Sequence, residues 1–228
     1  MKVIVLLFLL FVAFFSSAKN KIAKYPRDIS PDCRDGVAKI YDECSDQKNI
    51  IKMALLEANS TNKTVLLVYG AEWCIWCHVF DKYIDGQRRK YVYEWQYDNE
   101  PLKWKMYERG SRNIDRKALD LNKYVSDNFV VAYIEADYSP NGAEAIEGIG
   151  VNSEAIRTFP FFFSIDSTGQ YAGHMQAYNS ISGLEKRTDS GREYRGFDRV
   201  ILLGELKKLR SAAMLSDRQL QQSLNQQD

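Results

Sequence analysis

The chain has 228 residues, 45% of them hydrophobic and 27% charged, which suits one domain with additions or at most two small ones. Its 31 Lys and Arg residues nearly balance its 30 Asp and Glu residues, which excludes a global field that would attract nucleic acid or an anionic membrane surface. Its four cysteines allow disulfides in an exported protein, whereas in a cytosolic protein they would more often bind metal or act in catalysis.

The first residues have the three-part pattern of a secretory signal peptide. Lys2 supplies a positive charge, residues 3–15 are apolar, and the small residues Ser16-Ser17-Ala18 follow. The alternative is a membrane anchor, but the apolar run is shorter than the about 20 residues that a spanning helix needs. We predict a signal peptide over 1–18, and no stable membrane insertion after its removal. The preferred compartment is the periplasm, with secretion or the endoplasmic-reticulum lumen as the alternatives in a eukaryote.

Residues 19–45 are polar and predict an N-terminal extension with little regular structure apart from a short helix around Val37-Tyr41. Cys33 and Cys44 lie in this extension, where a structural disulfide closing a short loop would stabilise the protein by roughly 2–4 kcal/mol. The alternative is a second redox pair that relays electrons to Cys77, although no helix start lowers the pKa of either thiol.

From residue 46 the pattern is that of a domain with helices and strands. Apolar residues recur at helical spacing after a cap at Ser45 or Asp46: Ile51, Ala54, Leu55 and Ala58. Residues 59–62 end this helix, and residues 65–69 form a buried strand. A second helix is predicted to start near Cys74 and to stop near Gly86.

An insertion is predicted over residues 87–114. Aromatic and polar residues alternate over 91–97 and apolar and polar residues over 102–106, on both sides of the turn-like segment 98–101, which predicts a β-hairpin. Aromatic residues interleaved with Lys and Arg can stack on single-stranded nucleic acid, but export and the balanced charge argue against that partner. Two interpretations stay open. The aromatic residues cover a subdomain core, or the insertion selects a protein substrate or forms a dimer interface.

The second half of the chain again alternates between helices and strands. Its predicted elements are a helix over 115–127, a strand over 129–134, a weak helical stretch after the loop 139–142, an antiparallel pair over 161–165 and 171–178, a loop over 179–195, and an amphipathic helix through Val200, Leu203, Leu206 and Leu209. We predict one domain over 46–213 and a flexible tail over 214–228. The fold class is α/β, with a mixed sheet flanked by helices on both faces.

Cys74 and Cys77 follow the predicted strand directly, at the start of a helix. A helix N-terminus stabilises a thiolate and lowers a thiol pKa from about 8.5 toward roughly 3.5–7.5. The pattern therefore predicts a thiol–disulfide oxidoreductase in which Cys74 attacks and Cys77 resolves the mixed disulfide. The alternative, from another functional class, is a binding module in which this pair is a structural disulfide.

The sequence Cys74-Ile75-Trp76-Cys77-His78 also has the C-x-x-C-H spacing of c-type haem attachment. The preceding strand argues against this alternative, because haem pockets are more often helical. We expect no cofactor and no metal. His78 is then a helix-face residue that tunes the nearby thiolate by its charge.

Two segments carry a resemblance to a known family. Val65-Leu66-Leu67-Val68-Tyr69-Gly70-Ala71-Glu72-Trp73-Cys74-Ile75-Trp76-Cys77 and Thr158-Phe159-Pro160-Phe161-Phe162-Phe163, with Asp166 to Gly169 behind it, resemble the thioredoxin superfamily, and in particular its exported members with an extended N-terminus. The similarity covers roughly 46–85 and 115–213. It implies a thioredoxin-like fold, protein thiols and disulfides as substrates, and a separate redox partner.

The resemblance also implies roles for residues around the cysteines. Pro160 would follow a cis peptide bond that faces the cysteine pair, and Phe159 would present its backbone to an extended substrate segment. Trp73 and Trp76 would form the apolar rim of this groove. General reductases of the family carry a buried acidic residue in the strand before the cysteines, where this chain has Val68. Glu72 is then either the substitute proton acceptor or a solvated loop residue.

Overall fold

The computed structural model describes residues 20–29, 31–33, 38–86, 90–94, 105–109, 116–175, 184–189 and 192–226. The predicted signal peptide, the predicted turn over 98–101 and the end of the predicted strand over 176–178 lie outside these residues. The elements are, in chain order, β1 (Ala23–Tyr25), α1 (Gln47–Thr61), β2 (Thr64–Gly70), α2 (Ile75–Ile84), β3 (Lys90–Glu94), β4 (Lys105–Arg109), α3 (Arg116–Asn128), β5 (Phe129–Glu135), α4 (Gly142–Glu147), a short 3-10 turn (Ser153–Ala155), β6 (Phe161–Ile165), β7 (Tyr171–His174), β8 (Leu184–Asp189), β9 (Arg192–Phe197) and α5 (Arg199–Leu224).

A five-stranded mixed sheet in the order β1-β5-β2-β6-β7 forms the centre of the molecule. β2 pairs in parallel with β5, which in turn pairs in parallel with β1, whereas β6 pairs antiparallel with β2 and with β7. The parallel pair β2 and β5 needs a crossover, and α2 and α3 lie in it. The predicted mixed α/β fold class is confirmed, and the arrangement is compatible with a thioredoxin-like fold.

Both faces of the sheet are covered, because successive side chains of a strand point to opposite faces. In β2, Leu66 and Val68 belong to one core with residues of α2, α3 and α5, such as Phe80, Leu121 and Leu206. Val65, Leu67 and Tyr69 belong to the other core, with residues of α1 and α4. A strand that is buried on both faces has a continuous apolar sequence. For this reason the apolar run over 65–69 predicted β2 correctly.

Two β-hairpins lie outside the central sheet. β3 pairs antiparallel with β4, from Lys90 opposite Arg109 to Glu94 opposite Lys105, which confirms a hairpin in the predicted insertion. β8 pairs antiparallel with β9, so the prediction of a loop over 179–195 is wrong for 184–189 and 192–195, and 179–183 and 190–191 lie outside the described residues. β3 and β9 contact each other, and both contact α2. The two hairpins therefore stand beside the helix that begins at the cysteine pair.

The ends of the chain are more regular than their sequence predicts. The extension contributes β1, which pairs with β5 from Ala23 opposite Val130 to Tyr25 opposite Ala132. Residues 38–41 are not helical, so this part of the predicted short helix is wrong, and residues 34–37 lie outside the described residues. α5 continues to Leu224, beyond the predicted end of the domain. Within the described ranges, no helix combines the length and the apolar character needed to cross a membrane.

Candidate active site

Cys74 and Cys77 form a disulfide at the N-terminus of α2, with 5.3 Å between their Cα atoms. Residues 71–73 connect the end of β2 to Cys74, which is the N-cap residue of the helix. The Sγ of Cys74 accepts a hydrogen bond from the backbone N–H of Cys77 at 3.2 Å. When the disulfide opens, this N–H and the positive end of the helix dipole stabilise a thiolate on Cys74.

The disulfide is almost completely buried. Cys74 is 3% exposed and Cys77 is 0% exposed. They share a core cluster with Trp76 and Met175, which are 6% and 2% exposed. An attacking thiolate must reach Cys74 Sγ, so access requires the side chains around Cys74 to move.

Trp73, which precedes Cys74 in the chain, contacts Phe159, and Pro160 follows Phe159. The Phe159–Pro160 peptide bond is cis, and Pro160 is buried. The ring of Phe159 lies 5.9 Å from that of Trp73 and 5.5 Å from that of Tyr69, edge-on in the second case. Trp73 Nε1 donates a hydrogen bond to Asp137 Oδ2 at 2.9 Å, which fixes the indole. Trp73 and Phe159 are half-buried, so part of each ring faces solvent.

Trp76 lies in a different aromatic cluster, on the surface of α2 that faces the β8–β9 hairpin. Its ring contacts Phe197 edge-on at 5.6 Å, and Phe197 also contacts Phe80 and Tyr83 of the same helix. Phe197 thus anchors β9 on the active-site helix. The structure brings Trp73 together with Phe159, and Trp76 together with Phe197.

Glu72 and His78 form a buried pair beside the disulfide. His78 Nε2 lies 2.6 Å from the backbone oxygen of Glu72 and 3.3 Å from Glu72 Oε1. Glu72 Oε2 accepts hydrogen bonds from the backbone N–H groups of Ile40 and Tyr41 at 3.1 and 3.0 Å. Glu72 is 8% exposed, so it is a buried residue rather than a solvated one. Its carboxylate fastens the N-terminal extension to the loop that carries Cys74.

Glu135, at the end of β5, is a buried acid that the sequence analysis missed. Its Oε2 accepts a hydrogen bond from the backbone N–H of Glu72 at 3.1 Å, and its Oε1 accepts from those of Asp137 and Tyr138. Burial raises the pKa of Glu135 to about 7, against the opposing effect of these hydrogen bonds. The position of Glu135 in the sequence could have identified it. Glu135 ends an apolar strand that runs parallel to β2, and the carboxyl ends of parallel strands lie at the same edge of a sheet.

We expect Glu135→Gln to remove a pH dependence of stability. The pKa of Glu135 is higher in the folded protein than in the unfolded chain. Its contribution to the free energy of unfolding is therefore full below about pH 4.5 and is lost as the pH rises through about 7. The free energy of unfolding should fall by roughly 3 kcal/mol over this range. Urea unfolding at several pH values measures this slope, which should flatten in Glu135→Gln. Glu144→Gln, at an exposed residue, is the control and should keep it. An unchanged slope in Glu135→Gln would contradict the assignment.

Cys33 and Cys44 form a second disulfide, in the extension, with 5.8 Å between their Cα atoms. Among the described residues, the one grouping with metal-ligand spacing is Cys33, Asp42 and Cys44. Both sulfurs are bonded to each other, and the Asp42 carboxylate accepts hydrogen bonds from Cys44 and Ser45. This donor set is therefore occupied within the protein. The sulfurs that a haem would need at Cys74 and Cys77 are likewise bonded to each other.

Two further residues of the site were missed. Tyr41, from the extension, is completely buried, and Gly70 ends β2 with no space for a side chain, since a Cβ there would lie 2.6 Å from Cys77 Sγ. Two weak indications of these residues were present in the sequence: Tyr41 is near Cys44, and Gly70 ends an apolar run.

No family model and no curated protein matches the chain. Among solved structures, a disulphide isomerase from Xylella fastidiosa Temecula1 is similar at 23% sequence identity, over 59% of this chain and 76% of that one, with a TM-score of 0.38. A likeness of this size does not bear on the activity of the present chain.

Proposed function

We propose that this protein is a thiol–disulfide oxidoreductase that acts on protein thiols or disulfides through Cys74 and Cys77. The observation that carries the proposal is the position of Cys74 as N-cap of α2, with the Cys77 N–H on its sulfur. A cysteine at a helix N-terminus has a depressed thiol pKa, and the thiolate is the nucleophile in disulfide exchange.

The exchange has two steps. With the pair reduced, the Cys74 thiolate attacks one sulfur of a substrate disulfide, forms a mixed disulfide and expels the other substrate sulfur as a thiolate. The Cys77 thiol then gives its proton to the first expelled substrate thiolate, through solvent, and attacks Cys74 Sγ, which closes the protein disulfide and expels the second substrate thiolate. Two electrons pass from the cysteine pair to the substrate, and the reverse sequence oxidises a substrate dithiol.

The substrate would bind beside Trp73 and Phe159. Their half-buried rings offer apolar contact next to the disulfide, and the backbone of Phe159 would pair with an extended segment of substrate. We place this activity in the periplasm, on the pattern of residues 1–18, with a separate redox partner that restores the cysteine pair.

A binding module with a structural disulfide is the second candidate, and the burial of the pair favours it. With Cys74 only 3% exposed, the disulfide is protected from reagents in the conformation described. This candidate predicts that the disulfide resists reduction, as structural disulfides with potentials below about −300 mV do.

A redox titration separates the two candidates. The purified protein is equilibrated in graded glutathione buffers, and in dithiothreitol buffers for lower potentials. Free thiols are then trapped, and peptides containing Cys74 and Cys77 are read by mass. We expect a midpoint between about −270 and −120 mV, the range of thiol–disulfide oxidoreductases. A pair that stays oxidised below about −300 mV would overturn the proposal in favour of the binding module. Cys33–Cys44 peptides from the same samples provide an internal comparison.

A further inference from the structure

The hydroxyl group of Tyr41 is buried without a hydrogen-bond partner among the described residues. Tyr41 is 0% exposed, and its ring packs edge-on against Tyr133 at 5.4 Å. A buried hydroxyl left unpaired costs about 1–3 kcal/mol, so nearly all buried polar groups are paired and an exception calls for a reason. A donor needed in another state of the protein is one such reason.

The Tyr41 hydroxyl and the Cys77 sulfur border the same small space. A Cβ on Gly70 would lie 2.7 Å from the Tyr41 hydroxyl oxygen and 2.6 Å from Cys77 Sγ. Real Cβ atoms do not tolerate such distances, so a glycine at this position lets the phenol and the sulfur approach each other. Cys77 Sγ is the sulfur that leaves when Cys74 is attacked.

A hydrogen bond and a nearby disulfide hold Tyr41 in this position. Its backbone N–H donates to Glu72 Oε2, which joins it to the loop before Cys74. The Cys33–Cys44 disulfide restrains the segment in which it lies. The phenol is therefore positioned by the site itself, although it belongs to the extension.

As a neutral phenol, Tyr41 can donate a hydrogen bond but cannot accept a proton, which only a phenolate could do. Burial raises its pKa well above the usual range, and the negative charges of Glu135, Glu72 and Asp81 add to the effect. The phenol is therefore protonated near neutral pH. A neutral buried phenol beside Gly70, next to which Cys77 Sγ also lies, is a suitable donor to that sulfur when it becomes a thiolate.

We propose that the Tyr41 hydroxyl donates a hydrogen bond to Cys77 Sγ when the Cys74–Cys77 disulfide opens, and thereby stabilises the Cys77 thiolate. This rests on the proposed thiol–disulfide exchange. A substrate thiolate attacks Cys74 Sγ, the bond between the two protein sulfurs breaks, and its electron pair goes to Cys77 Sγ. Tyr41 keeps its proton throughout. In the reverse step the Cys77 thiolate attacks Cys74 Sγ and expels the substrate thiolate.

Tyr41→Phe tests this proposal, because it removes the hydroxyl and keeps the ring. In a Cys74→Ser background, the pKa of Cys77 is read from the ultraviolet absorbance of its thiolate, with Cys74→Ser/Cys77→Ser as the blank. We expect Tyr41→Phe to raise this pKa by about one to two units, which is a tenfold to hundredfold loss of thiolate at a pH well below the pKa. Tyr133→Phe is the matched control, since the Tyr133 hydroxyl donates to Asp81 instead. An unchanged Cys77 pKa in Tyr41→Phe, or an equal shift in both variants, would overturn the proposal.

Stability in the two redox states distinguishes this role from a structural one. Removing an unpaired hydroxyl should leave the melting temperature of the oxidised protein unchanged or higher, and should lower that of the reduced protein at a pH at which Cys77 is ionised. A loss of equal size in both states would overturn the proposal. The thiol titration needs no turnover, so it can succeed or fail independently of the redox titration that tests the function. At a pH at which Cys77 is ionised in the reduced pair, each tenfold loss of thiolate stabilisation lowers the reduction potential by about 30 mV.

Discussion

Replacing Cys74 with Ser is expected to abolish disulfide exchange, down to the rate without protein. The serine hydroxyl is not ionised near neutral pH, so the nucleophile that the N-terminus of α2 stabilises is lost. The measurement is the rate at which the reduced protein cleaves disulfides of an unrelated protein substrate. Turnover retained in Cys74→Ser would contradict the proposed function.

Two companion variants make this result specific. Cys77→Ser keeps the attacking thiolate but cannot resolve the product, so we expect it to accumulate a mixed disulfide that is visible by mass. Cys33→Ser/Cys44→Ser should retain turnover if the second disulfide is structural. Loss of turnover in that double variant, with the fold intact, would instead support the electron-relay alternative.

Replacing Lys24 with Met is expected to lower the free energy of unfolding by about 3 kcal/mol. Lys24 Nζ, in β1, lies 2.7 Å from Asp81 Oδ1 and 2.6 Å from Asp85 Oδ1. The Asp81 side chain, in α2, is 5% exposed, and removing one partner of a buried ion pair leaves an uncompensated charge. Urea unfolding at neutral pH measures the loss.

The pH dependence of this loss checks its cause. Burial acts to raise the pKa of Asp81, but the charge and hydrogen bond of Lys24, with smaller effects of Lys82 and Tyr133, together outweigh burial and hold that pKa below 3.8. A lowered pKa contributes stability that is present above pH 3.8 and is lost as the pH falls through the folded-state value. The penalty of Lys24→Met should therefore shrink in acid. Lys82→Met, which removes a more exposed lysine 3.5 Å from Asp81, should cost less than about 1 kcal/mol. Equal losses in the two variants would contradict the assignment.

These interactions connect the N-terminal extension to the active-site helix at two separate places. Lys24 reaches Asp81 in the middle of α2, and the Ile40–Tyr41 backbone reaches Glu72 in front of it. The extension therefore belongs to the folded structure of the site, and the largest predicted effects fall on α2 and its surroundings for that reason.

The elements that the sequence predicts well are those whose pattern is local. β2 appears as an apolar run because it is buried on both faces, and α1 as a helical stripe that begins after Asp46, whose carboxylate caps it. The hairpin β8–β9 was missed because its strands are mostly charged. At the end of β9, Phe197 is a large buried apolar residue of the core. β1 was missed because three residues are too few to show a period.

In the candidate site, too, the features that the sequence predicted are those with a local pattern. By itself the sequence determined that two cysteines begin a helix behind a buried strand, since spacing and periodicity are properties of neighbouring residues. Tertiary structure alone decided that Tyr41 and Cys77 both lie beside Gly70, and that the Glu135 carboxylate accepts from the Glu72 N–H. It also decided that Trp76 packs on Phe197, whereas Trp73 packs on Phe159. The physical reason is that these contacts join segments far apart in the chain. Whether these segments come into contact depends on which strands pair and which helix face is covered. Neither can be predicted from a local sequence pattern.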